Sequence, residues 1–467
     1  MIRNWIEQAA ACAGGDTCLE DARGSGKLTY AGLHAAVLDW ERRLDAAGLP
    51  LGARIAVRLS EPLEYATALI GIIGAGRVAV PLDPGAPDGD VARVLAVARP
   101  AVTVADGSFG INSLDPAPPR TAGGGIFLCT SGTTGTPKGI LLRDEQLAHV
   151  AASVVGHHRL TAADRGYCSL PLFHVNAEVV GLLATLRAGA SLAVDRRFSR
   201  RGFWEMIAER RITWINAVPA IISILAMDPP AVRPAGVRFV RSASAPLPLA
   251  ALERFEQELG IPVVETYGMT EAASMITANP LDGPRRPGSA GRPAGAEVRV
   301  LLPGGIVGEG DVGRVQIRGK GVINEYASGG RPDAIDADGW LDTGDLGYLD
   351  EDGYLFLVGR SDDVINRGGE KIYPREIEEI LLAQPGVRSA AVVGAADEVL
   401  GERPVAYVVP DDGWLAAEVE SVLREECAAR LPRHKQPSSF CLVGELPLGP
   451  TGKISRRRLK DLVTAQS

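Results

Sequence analysis

With 467 residues, 46% hydrophobic and 23% charged, the chain has apolar matter for more than one core and, at about 150 residues per domain, divides into about three units. A net charge of −8, with no concentrated basic stripe, excludes nucleic acid as the main partner. Six cysteines scattered without a CxxC pair exclude a zinc site or disulfide framework and fit a reducing, cytoplasmic setting. The start MIRNWIEQAA has no apolar core, and no run of about 18 uncharged apolar residues occurs, so neither export nor membrane spanning is expected.

From Arg54 to Thr266 short apolar, β-branched runs alternate with helical patterns: RIAVRL, EYATALIGIIGAG and VAVPL, then SLAV, RGFWEMIAERR, TWINAV, VRFVRS, PLAALERFEQELG and PVVET. Strand–helix–strand repeats of this length read as an α/β fold with doubly wound parallel sheets, interrupted by a Pro/Gly-rich linker from Asp115 to Gly125. Between the apolar runs Ile126–Leu128 and Ile140–Leu142 stands TSGTTGTPKG, Thr130 to Gly139. Its glycines let backbone N–H groups converge on an anion, its hydroxyls add donors and Lys138 adds a charge, so a phosphate chain is the expected guest. A Walker A loop is excluded, because Pro137 and Gly139 flank the lysine where Gly and Ser or Thr are required. Ligands of such sheets collect at the carboxyl ends of strands, where SASAP (Ser242–Pro246) and TYGMTE (Thr266–Glu271) fall. After Pro287 the Gly-rich strands GRVQIRG and GYLFLVG indicate a small β subdomain. From Ser361 an α+β tail follows, with helices over 375–382 and 418–430 and strands over 390–393 and 405–409.

TSGTTGTPKG, YGMTE, WLDTGDLGYLDEDGYLFLVGR (Trp340–Arg360), NRGGEKIYPREIE (Asn366–Glu378) and GPTGKISRRRL (Gly449–Leu459) occur in the order found in the adenylate-forming superfamily, which the chain resembles from Leu28 to Lys453. The resemblance implies an N-terminal AMP-binding domain over 1–360 and a mobile C-terminal domain over 361–467. It also implies the activity of an AMP-forming acyl-CoA synthetase, which activates a small or medium carboxylic acid with ATP and Mg2+ and passes the acyl group to CoA. The alternative is a stand-alone adenylation enzyme using a carrier-protein phosphopantetheine or an amine. A non-catalytic nucleotide sensor is disfavoured by intact Lys138, Glu271, Asp345 and Lys453.

The same resemblance distributes the roles. ATP or AMP is expected against Thr130, Ser131, Gly132, Thr133, Thr134, Gly135 and Lys138, against Ser244, Ala245 and Pro246, and against Thr266, Tyr267, Gly268, Met269 and Thr270. Tyr267 would stack on the base, while Asp345 would accept both ribose hydroxyls with Arg360 beside it. A carboxylate in a phosphate site requires a cation, so Glu271, with Thr130, is the expected Mg2+ ligand. Lys453 would bridge the acid carboxylate and the α-phosphate, Asp362 would be the hinge of the tail, and Gly368 and Gly369 would leave room for pantetheine. His174 is the expected gate of the acyl pocket, and Ala243, where many relatives carry Gly, narrows its wall against a bulky or long chain. A helix through VNAEVVGLLATL would set Glu178 one turn beyond His174, and Glu178, with Asn176 and Asn216, is expected to read an amino or hydroxyl group on the acid. The competing reading pairs Glu178 with Arg187 or Arg241.

Overall fold

The computed structural model describes residues 1–112, 115–130, 138–227, 229–230, 234–305, 308, 310–331, 333–448 and 454–466. The strand–helix alternation builds two sheets that divide the N-terminal part. In the six-stranded sheet, Arg54–Arg58, Val78–Pro81, Val102–Ala105 and Gly125–Thr130 are parallel, with Ser108–Ile111 and Lys138–Arg143 antiparallel at its edges. The linker expected to reach Gly125 ends one residue sooner, because Gly125 already pairs with Arg143.

The second sheet has nine strands. Its parallel centre runs Val263–Met269, Phe239–Ser242, Trp214–Ala217, Arg165–Cys168, Ser191–Val194 and Thr17–Asp21. The chain leaves Arg165–Cys168 for Ser191–Val194 on one side and returns to Trp214–Ala217 on the other. That reversal opens a crevice beyond the carboxyl ends of the strands, the place where open α/β sheets bind ligands. Both faces are covered, so successive residues feed different cores. Cys168, Trp214 and Phe239 join one apolar cluster, and Tyr167, Ile215 and Val240 join the other.

After Pro287 a four-stranded antiparallel sheet forms from Glu297–Leu301, Gly313–Arg318, Leu341–Leu349 and Leu355–Arg360. The tail has its own sheet and core. Val387–Asp397 and Gly401–Pro410 pair along their length, and helices Pro374–Leu382 and Ala416–Arg430 pack against them through Ile377, Leu381, Val419 and Leu423. Helix Pro374–Leu382 starts on a proline, whose missing N–H costs nothing in a first turn.

The run after His174 departs from the α-helix the sequence suggests: Asn176–Leu183 is a π-helix, followed by the short α-helix Ala184–Arg187. Nothing in the pattern NAEVVGLL distinguishes the wider turn, and such elements are rare and concentrated at functional sites.

Candidate active site

Strand Gly125–Thr130 and strand Lys138–Arg143 are the arms of a hairpin in which Thr130 faces Lys138. Ser131, Gly132, Thr133, Thr134 and Gly135 lie outside the described residues. Lys138 places its Nζ 5.5 Å from the centre of the Tyr326 ring, and the Tyr326 hydroxyl donates to Glu271 Oε1 at 3.1 Å. The backbone ties the same pieces together, with Ala327 N–H donating to Gly139 O at 2.9 Å and Ile323 N–H to Glu271 O at 2.8 Å. Lysine and carboxylate thus meet around one tyrosine, beside the ends of the two strands.

Glu271 sits in the one-turn helix Thr270–Ala272 after strand Val263–Met269 and is only 8% exposed. A shielded carboxylate with one oxygen engaged by Tyr326 retains acceptor capacity for a cation. Among the described residues no group of three His, Cys, Asp or Glu could hold a metal by itself. The residues present fit a Mg2+ ion carried largely by nucleotide oxygens, to which Glu271 has acceptor capacity to add.

Upstream on the same strand, the Thr266 hydroxyl donates to Ser242 O at 3.0 Å and the Tyr267 hydroxyl makes a short bond to Asp345. Burial, and then the Asp345 charge, push the Tyr267 phenol well above its usual range, so it remains a donor. Arg360 Nη1 bonds the other Asp345 oxygen at 3.0 Å and Thr343 O at 3.1 Å, consistent with the register that sets Asp345 opposite Arg360. The backbone slips by a bulge at Gly268, where a Cβ would fall 1.6 Å from Ser274 O. That cradle admits only glycine and keeps Tyr267 and Met269 at the mouth of the sheet.

Near the carboxyl ends of the strands at the switch point lies a buried polar row that follows from strand register. Cys168, Asn216 and Arg241 are lateral neighbours on three adjacent strands and share a face. Arg241 is 1% exposed, and its Nη1 donates to Asn176 Oδ1 at 2.8 Å and Asn216 Oδ1 at 3.2 Å. Asn216 Nδ2 reaches Asn176 Oδ1 at 3.3 Å, and Asn176 Nδ2 reaches Ser244 Oγ at 3.4 Å. Ser244, at φ +76, turns the chain into Ala245 and Pro246. Buried Ala243 donates its N–H to Ala217 O at 3.3 Å. Arg241 Nε is buried without a partner, and no carboxylate of the described residues bonds the guanidinium. Burial pushes Arg241 down to about 9, so it stays charged at neutral pH.

Glu178 does not join this row. Its carboxyl is 1% exposed, with neither oxygen hydrogen-bonded to Asn176, Asn216, Arg187 or Arg241. Burial raises its pKa well above the carboxylate range, so it is held neutral. What links Glu178 to His174 is backbone, Glu178 N–H to His174 O at 3.1 Å. The His174 ring lies edge-on to Phe173 at 4.6 Å.

Asp362 lies exposed in the one-turn helix Ser361–Asp363, between strand Leu355–Arg360 and the tail. Gly368 (φ +59) and Gly369 (φ +92) form the two-residue turn between strands Ile365–Arg367 and Glu370–Ile372, a geometry that selects glycine whether or not a ligand passes. A Cβ on Gly369 would meet nothing within 4 Å. Lys453 and Gly449 lie outside the described residues. Arg241 and Tyr326 were not among the expected site residues. The signal for the first was an arginine inside an otherwise apolar strand; Tyr326 lies in a loop without a motif.

The hairpin arms beside the shielded Glu271, the linked Tyr267, Asp345 and Arg360, and the buried polar row at the strand ends are the features against which the comparisons are set. The AMP-binding enzyme profile matches residues 6–123 and 125–327, and the AMP-binding enzyme C-terminal domain profile matches 376–453, so the chain belongs to the AMP-binding enzyme family of adenylate-forming proteins. It is 40% identical over 471 residues to a sulfoacetate–CoA ligase of Cupriavidus necator, covering 92% of each chain. It is 35% identical over 484 residues to an oxalate–CoA ligase of Arabidopsis thaliana, covering 93% of each. The o-succinylbenzoate CoA synthetase of Bacillus subtilis, solved with ATP and magnesium, superposes with a TM-score of 0.85 at 29% identity, over 98% of this chain and 99% of that one. The chain is thus an AMP-forming acid–thiol ligase that uses ATP, Mg2+ and CoA to convert a carboxylic acid through its acyl-adenylate to the CoA thioester. No helix among the described residues is long and apolar enough to cross a membrane.

Proposed function

We propose that the acid is small and carries a second anionic group, a carboxylate or sulfonate, which Arg241 receives. The observation that carries this reading is the buried, charged guanidinium held by two neutral amides, with no carboxylate partner among the described residues. An uncompensated buried cation is costly, and an anionic guest removes that penalty where an aliphatic one cannot. Asn176 and Asn216 orient Arg241, Ser244 joins that row to the nucleotide side, and Ala243 limits length. The names of the two relatives point the same way, since sulfoacetate and oxalate each bear two anionic groups.

In this reading the first carboxylate meets the α-phosphate, with Lys453 offsetting the combined negative charge. Lys138 and the hairpin N–H groups hold the other phosphates, and bound Mg2+ at Glu271 and Thr130 supplies neutralising charge. Asp345 and Arg360 hold the ribose against Tyr267. The tail, residues 361–467, then turns about Asp362 and brings Gly368 and Gly369 to the thiol channel, with His174 as the gate. Free CoA is the acceptor in preference to a carrier-protein pantetheine. Six free cysteines suit a cytoplasmic setting.

ATP–pyrophosphate exchange with matched acids, each pair differing only in the second anion, tests the reading. Exchange should favour the doubly anionic member by about 10²-fold in kcat/KM, the scale of one buried charge left unpaired. Equal rates within pairs, or preference for monoacids, would count against it. Thioester appearing with free CoA and the best acid decides the acceptor.

A further inference from the structure

A cavity of about 600 Å³ lies between Trp5, helix Asp144–His158, Arg187 and the segment 319–324. That volume is in the range of small-molecule sites. None of the residues assigned to the nucleotide or the acid lines it. Three cations, Arg143, Arg187 and Lys320, face it with Glu145 as the only carboxylate among the described lining residues, in a chain whose net charge is −8. A concave surface lined by one sign of charge concentrates ligands of the other.

Hydrogen bonds tie the walls together. Ile2 N–H donates to Asp144 Oδ1 at 3.1 Å, which joins helix Ile2–Ala13, the carrier of Trp5, to the first turn of Asp144–His158. Buried Gln146 donates through Nε2 to Val322 O at 3.0 Å and accepts the Arg143 N–H at 2.9 Å. The Arg187 guanidinium carbon lies 5.4 Å from the centre of the Trp5 ring. An arginine laid over a ring covers apolar surface with its plane and keeps the N–H donors of its edge for an anion. Among the described residues neither Arg187 nor Lys320 pairs with a carboxylate, and Arg143 reaches only Glu325, at 4.0 Å.

We propose that this cavity is a second anion site, which takes a phosphorylated organic molecule of the nucleoside phosphate class, its phosphates on Arg143, Arg187 and Lys320 and its organic part beside Trp5. The site is additional to the one that activates the acid. It depends neither on the identity of that acid nor on rotation of the tail.

The source of the three cations favours phosphate over a single carboxylate. Arg143 ends strand Lys138–Arg143, Arg187 ends helix Ala184–Arg187 and Lys320 belongs to the segment 319–324, so separate elements each supply one charge to one space. Guanidinium groups match phosphate oxygens with paired N–H donors, and an ammonium adds a point charge. Two linked phosphates have oxygens enough for all three, whereas one carboxylate has two.

ADP is the probe, and the readout is acetylation of Lys320 by an amine-reactive ester, followed by peptide mass spectrometry with the exposed Lys27 as internal control. At about nine times its Kd, ADP should slow modification of Lys320 by about tenfold and leave Lys27 unchanged. Arg187→Gln keeps Lys320 in place and lies outside the residues assigned to the nucleotide and the acid, so it separates this cavity from the ATP site. In that variant protection should fall below about twofold at the same ADP concentration, while pyrophosphate exchange stays near wild type. Arg187→Lys keeps the charge and should keep most of the protection. Inorganic pyrophosphate, which is ADP without its nucleoside, should need about tenfold more to protect equally. Lys320 modified at the same rate with and without millimolar ADP, or protection that persists in Arg187→Gln, would overturn the site. Equal protection by pyrophosphate and ADP would overturn the organic ligand.

Discussion

Glu178 and Arg241 are each 1% exposed, carry side chains of opposite formal charge, and do not meet. Burial resolves them differently. The carboxyl avoids the penalty by keeping its proton, while the guanidinium, pushed down only to about 9, keeps its charge. A carboxyl whose pKa rises on folding contributes stability below its unfolded value, about 4.3, and loses it as pH climbs toward the folded value. Glu178→Gln should therefore match the wild type near pH 4 and grow progressively more stable than it toward pH 8. Thermal melting of both proteins across that range checks this, and parallel curves would mean that Glu178 is ionised in the fold. The grouping of Tyr267, Asp345 and Arg360 was legible as an expectation because these residues sit in local motifs. Arg241 was not, since its meaning depends on Asn176 and Asn216, which only strand register and a helix crossing bring to it.

At the scale of elements, the strand–helix alternation announced the parallel sheets, and the Gly-rich texture after Pro287 announced the antiparallel one. Which strands fall in which sheet was hidden, because strand order depends on which neighbours close the core rather than on any run of residues. The π-helix Asn176–Leu183 was hidden for the reason already given, that its composition suits an α-helix equally well. The turn Gly368–Gly369 carries two readings that one substitution separates. Asn tolerates a left-handed backbone far better than Ala, so Gly369→Asn spares the turn while adding bulk. If pantetheine passes here, Gly369→Asn should leave pyrophosphate exchange near wild type and slow thioester formation by about tenfold or more. Unaltered thioester formation would assign the glycines to the turn alone.

Across the whole molecule the proposed function requires two orientations of the tail, each serving one half-reaction. Lys453→Ala should slow adenylation by about 10²-fold while sparing thioester formation from supplied acyl-adenylate. Asp362→Pro, which fixes φ at the hinge, should do the reverse. Equal loss of both steps in either variant would contradict a rotating tail. In the proposed function the buried Arg241, without a carboxylate partner among the described residues, selects an acid with a second negative charge. Its most direct test is kcat/KM for CoA-thioester formation with a doubly anionic acid and its singly charged isostere, in the wild type and in Arg241→Met. A preference of about 10²-fold is expected in the wild type, collapsing in the variant because the doubly charged acid loses its partner, with the isostere unchanged or improved. A preference that survives the substitution, or an equal loss for both acids, would contradict it.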